Sequence, residues 1–99
     1  MKDMKKVFLA VDTYPYGDRA PDCNIISAGL SVAAVIKNMI EMGYIRGDCL
    51  ITPNSSRCRY FLDEYLKNWK EEVLLLTQNE FNDWFGYAEY EIIDFPLSD

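Results

Sequence analysis

The sequence predicts a small α/β fold that forms a single domain over residues 1–99, with the element order βαβαβαβ. Two observations support this prediction: three short apolar runs each end on a threonine, and helix-like patterns alternate with them. Strands that alternate with helices are typical of right-handed βαβ units and parallel sheets. We therefore expect a mostly parallel four-stranded sheet packed by three helices. The last strand is expected at an edge and could run antiparallel.

The predicted strands are short. They cover residues 6–12, 48–52, 72–77 and 88–95. The first three are continuous apolar runs that reach Thr13, Thr52 and Thr77. The last alternates imperfectly between apolar and acidic residues, which favours the edge of a sheet over its centre.

The predicted helices differ in how clearly they are marked. They cover residues 25–42, 53–70 and 77–86. The first is apolar around most of its circumference, which indicates burial against the sheet, and Gly43 would end it. The second has apolar residues from Cys58 to Trp69 at the i, i+3, i+4, i+7 spacing of an amphipathic helix. The third opens with Thr77 and Glu80, which form a capping box.

The charge of the chain is uneven. Residues 1–60 carry eight Lys/Arg against six Asp/Glu, a balance of +2, whereas residues 61–99 carry two Lys against ten Asp/Glu, a balance of −8. An acidic half is poorly suited to direct nucleic-acid binding and better suited to a protein partner with a basic surface. No apolar run approaches the ~20 residues of a membrane span, and no signal peptide is indicated, so we expect a cytoplasmic protein that does not enter a membrane.

The residue types present favour a protein without catalytic activity. Histidine is absent, which removes the commonest general base and the usual partner of a Ser or Cys nucleophile. The three cysteines are too widely spaced for a zinc site, so no metal site is predicted. Cys49 and Cys58 are expected as small buried thiols. No cofactor is expected.

The threonine-ended strands predict one place for a small ligand. In an open parallel sheet, ligands bind outside the carboxyl ends of the strands. Two predicted helix N-termini also arrive there and would suit a nucleotide or a phosphorylated small molecule. The same polar residues could equally serve only as helix caps. The candidate ligand-binding residues are Asp12, Thr13, Thr52, Asn54, Ser55, Ser56, Arg57, Thr77 and Asn79.

Asp12 suggests a second alternative. A carboxylate at the end of the first strand resembles the arrangement in PIN-like nucleases, haloacid dehalogenase-like phosphatases and receiver domains. The resemblance to PIN domains covers Val11-Asp12-Thr13 and, loosely, the segment 76–79. It implies a Mg²⁺-dependent phosphodiesterase or nuclease, with Asp12 and Glu80 as candidate catalytic residues. The chain departs from the dehalogenase pattern, because Tyr14 stands where a second aspartate is required.

The leading hypothesis is a small acidic binding or regulatory protein that acts through a protein partner. An accessory inhibitor from a phage or another mobile element is one sub-case. Two surfaces could form the contact: the Pro- and Tyr-containing loop 13–24 and the acidic face of the last strand. The candidate partner-binding residues are Tyr14, Tyr16, Asp18, Arg19, Glu89 and Glu91.

Overall fold

The computed structural model describes residues 5–12, 24–86 and 90–97. Five strands and four α-helices follow one another along these segments. In chain order they are β1 (Lys6–Asp12), β2 (Asn24–Gly29), α1 (Val32–Glu41), β3 (Leu50–Ile51), β4 (Tyr60–Phe61), α2 (Leu62–Tyr65), α3 (Trp69–Val73), α4 (Gln78–Phe85) and β5 (Tyr90–Pro96). A 3-10 turn, Pro53–Ser55, lies between β3 and β4.

The fold is mixed α/β, but the predicted parallel four-stranded sheet is wrong. The main sheet has three antiparallel strands in the order β2-β1-β5, and β3 pairs with β4 in a separate two-stranded sheet. Of the predicted strand 48–52, only Leu50 and Ile51 belong to that small pair. The predicted strand 72–77 is not a strand. Without these two segments the main sheet loses its βαβ crossovers, and its strands become antiparallel.

β2 occupies a segment that was predicted as the start of a helix. Its register against β1 shifts between Ala10 and Val11, so Ala10 pairs with Ser27 whereas Val11 pairs with Ile25. The extra residue, Ile26, forms a β-bulge. Ile26 and Ser27 are consecutive, yet both are buried, at 9% and 7% exposure. A regular strand sends consecutive side chains to opposite faces, so the bulge hides the period-two pattern that would identify a strand.

α1 therefore begins later than predicted, at Val32. Ser31 is its N-cap, and the Ser31 hydroxyl accepts a hydrogen bond from the backbone N–H of Ala34 at 3.1 Å. The expected end at Gly43 is confirmed: this glycine has a φ of +85°, a left-handed conformation that residues with a Cβ rarely adopt.

The predicted helix 53–70 is wrong. The chain instead forms the 3-10 turn, β4, α2 and the start of α3. Backbone N–H groups of Leu62 and Asp63 donate to the carbonyls of Cys49 and Gly47, which ties this segment to the preceding loop and interrupts any continuous helix. Cys58 is exposed rather than buried, and Cys49 is only half-buried.

The segment predicted as the third strand, 72–77, instead contains the end of α3 and the turn that follows it. Val73 is the last residue of α3 and is fully buried, whereas Leu75 in the turn is 80% exposed. The capping box that follows is confirmed. The Thr77 hydroxyl accepts from the Glu80 N–H at 3.1 Å, and the Glu80 carboxylate accepts from the Thr77 N–H at 2.9 Å.

The core lies between one face of the main sheet and the helices. On the sheet it is formed by Ala10 of β1, Ile26 of β2 and Ile92 of β5, which share one cluster with buried residues of α1 and α4. The helical and loop members of that cluster are Val35, Ile36, Met39, Ile45, Ile51, Leu62, Val73, Phe81, Trp84 and Phe85. We call this side of the sheet the inner face.

None of the helices in the described part of the chain has the length and apolar character that a membrane crossing requires.

Candidate protein-binding face

The threonines that were expected to share one sheet edge lie apart. The Thr52 hydroxyl donates to the Asp83 carbonyl at 3.3 Å, and the Thr52 N–H donates to the Trp84 carbonyl at 3.0 Å. Thr52 therefore lies at the C-terminal end of α4, while Thr77 caps its N-terminus. A helix of this length is about 12 Å long. Asp12 lies elsewhere again, at the end of β1. The structure thus does not bring the predicted ligand residues together.

The residues around the 3-10 turn have local structural roles. Asn54 has a φ of 58°, a left-handed conformation that asparagine tolerates better than most residues. The Ser56 hydroxyl accepts from the Cys58 N–H at 3.0 Å, and the Ser56 N–H donates to the Pro53 carbonyl at 3.1 Å. Ser55 lies in the same turn. Of the other predicted ligand residues, Arg57 is exposed beyond this turn, and Asn79 is exposed in the first turn of α4.

The two candidate catalytic carboxylates belong to different elements. Asp12 pairs with Tyr90 at the start of β5, whereas Glu80 is held by the capping box at the N-terminus of α4. That end of α4 lies near the opposite end of β5, because the Gln78 amide contacts Asp94. Within the described residues no group of three Asp, Glu, Cys or His side chains is arranged to hold a metal ion.

Asp12 instead lies in an aromatic corner around Tyr90. The rings of Tyr44 and Tyr90 meet edge to face, with centroids 6.3 Å apart. Burial raises the pKa of Tyr90, and the nearby groups Cys49, Asp12 and Tyr44 raise it further, while Arg46 opposes them. Arg46 itself forms an exposed ion pair with Asp48 at 3.2 Å. This corner keeps the Tyr90 phenol protonated at neutral pH and offers no activated nucleophile.

Most of the predicted partner-binding residues lie outside the described residues, and so does one predicted ligand residue. They are Thr13, Tyr14, Tyr16, Asp18, Arg19 and Glu89. Glu91 is described, and it is exposed on β5 opposite Val11.

The main sheet presents a second apolar face, on the side away from the helices. Register places Leu9 beside Ile93 on one flank and Ala28 on the other, and it places Val7 beside Phe95. None of these residues belongs to the core cluster. We call this set the outer patch: Val7, Leu9, Ala28, Ile93, Phe95 and, one residue past β5, Leu97.

The outer patch is accessible. Phe95 is 49% exposed and Leu97 is 47% exposed, while Val7, Leu9 and Ile93 at its centre are half-buried. No described helix packs on this side. β1 is apolar on both faces from Val7 to Val11, a pattern that is usual for a strand covered on both sides. On the outer side Val11 is buried, at 3% exposure, whereas Val7 and Leu9 are only half-buried.

The free edge of β5 is closed by side chains of α4. The Asn82 side chain accepts from the Ile92 N–H at 2.7 Å and donates to the Ile92 carbonyl at 3.1 Å, as a neighbouring strand would. Gln78 donates to the same carbonyl at 2.9 Å and to Asp94 at 3.1 Å. Lys6 adds an ion pair with Asp94 at 3.3 Å. Gln78 and Lys6 hold the pKa of Asp94 below its usual range.

Two surface cavities lie apart from the predicted ligand residues. One, of about 380 Å³, lies at the start of β1 and is lined by Lys5, Lys6, Phe8 and Leu30. The other, of about 260 Å³, is formed by residues 67–71 around Trp69. Neither of these two cavities is lined by a residue that the sequence predicted as a ligand contact.

Comparisons of the chain with protein-family models, with curated proteins and with solved structures gave no match. The functional argument therefore depends on the geometry of the molecule, and the outer patch is its strongest candidate contact surface. Sequence reasoning missed it because it predicted a mostly parallel four-stranded sheet packed by three helices, and not a three-stranded antiparallel sheet.

Proposed function

We propose that this chain is a small acidic protein-binding domain that docks a protein partner on the outer patch of its main sheet. The observation that carries the proposal is the apolar row formed by Leu9, Ile93 and Phe95, which is half-buried at Leu9 and Ile93 and 49% exposed at Phe95. Large exposed apolar surface is unfavourable in water, and contiguous patches of it mark interaction sites. A flat sheet face without a polar cleft suits a protein surface better than a small molecule.

Glu91 beside the patch and the acidic C-terminal part of the chain indicate what kind of partner fits. Glu91 is exposed on the same side of β5, two residues before Ile93. The C-terminal part of the chain, residues 61–99, has a balance of two Lys against ten Asp/Glu. A partner with an apolar centre and a basic rim would complement this surface, and its association would be steered by charge.

Binding with an outer-patch variant tests the proposal. We expect Phe95→Lys to weaken binding of a purified partner at least ~10-fold, because it places a charge within the apolar contact. The partner is first isolated from a cell extract with the wild-type protein as bait. Its affinity is then measured with purified components by calorimetry. The Phe95 side chain is half exposed, so the fold tolerates lysine there.

Leu75→Lys is the matched control. Leu75 is 80% exposed in the turn between α3 and α4 and belongs neither to the sheet nor to the outer patch, so this variant makes the same kind of change outside the proposed contact. Its affinity should equal that of the wild type. Equal affinities for the Phe95→Lys and Leu75→Lys proteins would place the interface elsewhere.

Glu91→Lys addresses the charge of the partner separately. For a basic partner this variant should slow association, and the difference from wild type should shrink as salt is added. An association rate unchanged at low salt would show that Glu91 does not face the partner's charge.

A further inference from the structure

The two edges of the main sheet have different chemistry. On β5, Asn82 occupies both outward backbone groups of Ile92, and the strand ends on Pro96, which has no N–H to offer. Ile92 points its backbone groups away from β1, so its partner Ala10 directs its own N–H and C=O toward Ser27 of β2. The outward N–H and C=O groups of β2 on either side of the bulge therefore belong to Ile25 and Ala28. One hydrogen bond reaches this edge from side chains of the described residues, from Asn38 to the Ala28 carbonyl at 3.3 Å.

Apart from the bulge at Ile26, β2 lacks the features that usually protect an edge strand. Edge strands are normally guarded by charged residues, especially lysine, or by proline. The segment 24–30 reads Asn-Ile-Ile-Ser-Ala-Gly-Leu and contains neither. Its two ends expose large apolar side chains, with Ile25 at 63% and Leu30 at 72% exposure. An uncharged edge strand with exposed apolar side chains at its ends is a template for another strand.

We propose that β2 pairs antiparallel with β2 of a second copy of this chain, which gives a two-fold symmetric dimer with one continuous six-stranded sheet. An isologous contact of this kind needs the same strand on both sides, and β2 is suitable because it carries no charge. Two chains of net charge −6 repel each other, but none of that charge lies on the contacting segment. Antiparallel pairing also brings Ile25 of each copy close to Leu30 of the other.

The closed β5 edge explains why assembly would stop at two copies. If β5 were open, β2 of one copy could pair with β5 of the next, and this head-to-tail contact would propagate into a filament. The amides of Gln78 and Asn82 prevent that contact, because they already satisfy the Ile92 backbone. Within the main sheet the symmetric β2–β2 contact remains, and it uses the β2 edge of both copies.

The dimer contact uses the β2 edge and not the outer patch, so each of the two proposals can be disproved without affecting the other. Light scattering coupled to size exclusion should give twice the 11.5 kDa mass of one chain at high micromolar concentration. Added salt should strengthen the dimer by screening the repulsion between two acidic copies. A mass of one chain throughout, with and without salt, would overturn the proposal.

The Ile25→Lys/Leu30→Lys double variant tests which edge is used. Both side chains are mostly exposed, so the variant should fold, which circular dichroism and a thermal melt verify. We expect it to be a monomer, because lysine on an edge opposes pairing. The Leu75→Lys protein, with an equally exposed lysine far from β2, should remain a dimer. A double variant that still dimerises would exclude the β2 edge.

Hydrogen exchange gives a readout that does not depend on a variant. In the dimer the amide N–H groups of Ile25 and Ala28 would be bonded across the interface, so their exchange should slow as the protein concentration rises. The Ser27 amide, which faces β1 within one copy, serves as the internal reference. A dimeric mass with concentration-independent exchange at Ile25 and Ala28 would show that the copies meet through another surface.

Discussion

β5 and β2 flank the same central strand, yet they end the sheet in opposite ways. At the β5 edge a helix covers the strand, and its amide side chains reproduce the hydrogen bonds of a missing neighbour. At the β2 edge the strand contains a bulge and carries no charge, and Ile25 and the adjacent Leu30 are exposed. The difference shows that α4 protects the β5 edge through its own side chains, and that this protection does not extend to the other edge of the sheet. Each prediction below tests one part of that contrast.

Truncation of the two isoleucines should have the largest and most unequal effect. Ile92 is fully buried on β5, so Ile92→Ala should lower the free energy of unfolding by about 2–5 kcal/mol. Ile25 is mostly exposed on β2, so Ile25→Ala should change the stability of the monomer by no more than about 0.5 kcal/mol. Urea unfolding at low protein concentration measures both. Similar losses for the two variants would mean that the edges are equally buried.

The next largest effect on stability should come from removing the side-chain amides that bond to the two edge strands. Asn82→Ala leaves the Ile92 N–H without its partner, and an unsatisfied buried donor costs about 1–3 kcal/mol. Asn38→Ala removes one longer, exposed bond to the Ala28 carbonyl, which water can replace, so its effect should stay within about 0.5 kcal/mol. The Asn82 variant should also aggregate more readily, because it opens the second edge. Equal stability of both variants would contradict the proposed closure of β5.

A pH series should give the smallest effect. The pKa of Asp94 is lowered by Gln78 and Lys6, so its carboxylate stabilises the folded state above the pKa it has when unfolded, about 3.9. That contribution is lost as the pH falls through the lower, folded pKa. The stability of the wild type should therefore exceed that of Asp94→Asn at neutral pH and approach it in acid. Glu64→Gln, an exposed change on α2, is the control and should show no such convergence.

The parts of the fold that could be predicted from sequence are those set by local signals. β1 has the predicted bounds, and the Thr77 and Glu80 capping box correctly placed the start of α4. The edge position of the last strand followed from its half-polar pattern, and β5 is indeed an edge strand. These features depend on a few neighbouring residues, so a single sequence contains the necessary information.

The remainder depends on contacts between distant segments. The run from Ile26 into α1 looks like one apolar helix, because a bulge buries Ile26 and Ser27 together. The helical spacing over 57–70 is overridden by backbone bonds from Leu62 and Asp63 to an earlier loop. The candidate ligand site depended on a parallel sheet, so its members separated once the strands proved antiparallel.

The position of β1 also has a consequence for how the protein is made. One of the two partners of this strand, β2, follows it directly, whereas the other, β5, comes much later in the sequence. During synthesis, β2 and α1 leave the ribosome long before β5, so the nascent chain carries β1 with one side unpaired until β5 has been made. Such an intermediate has unprotected strands on both sides and is prone to misassembly. Chains that terminate before Tyr90 should therefore be selectively lost to aggregation or degradation in the cell.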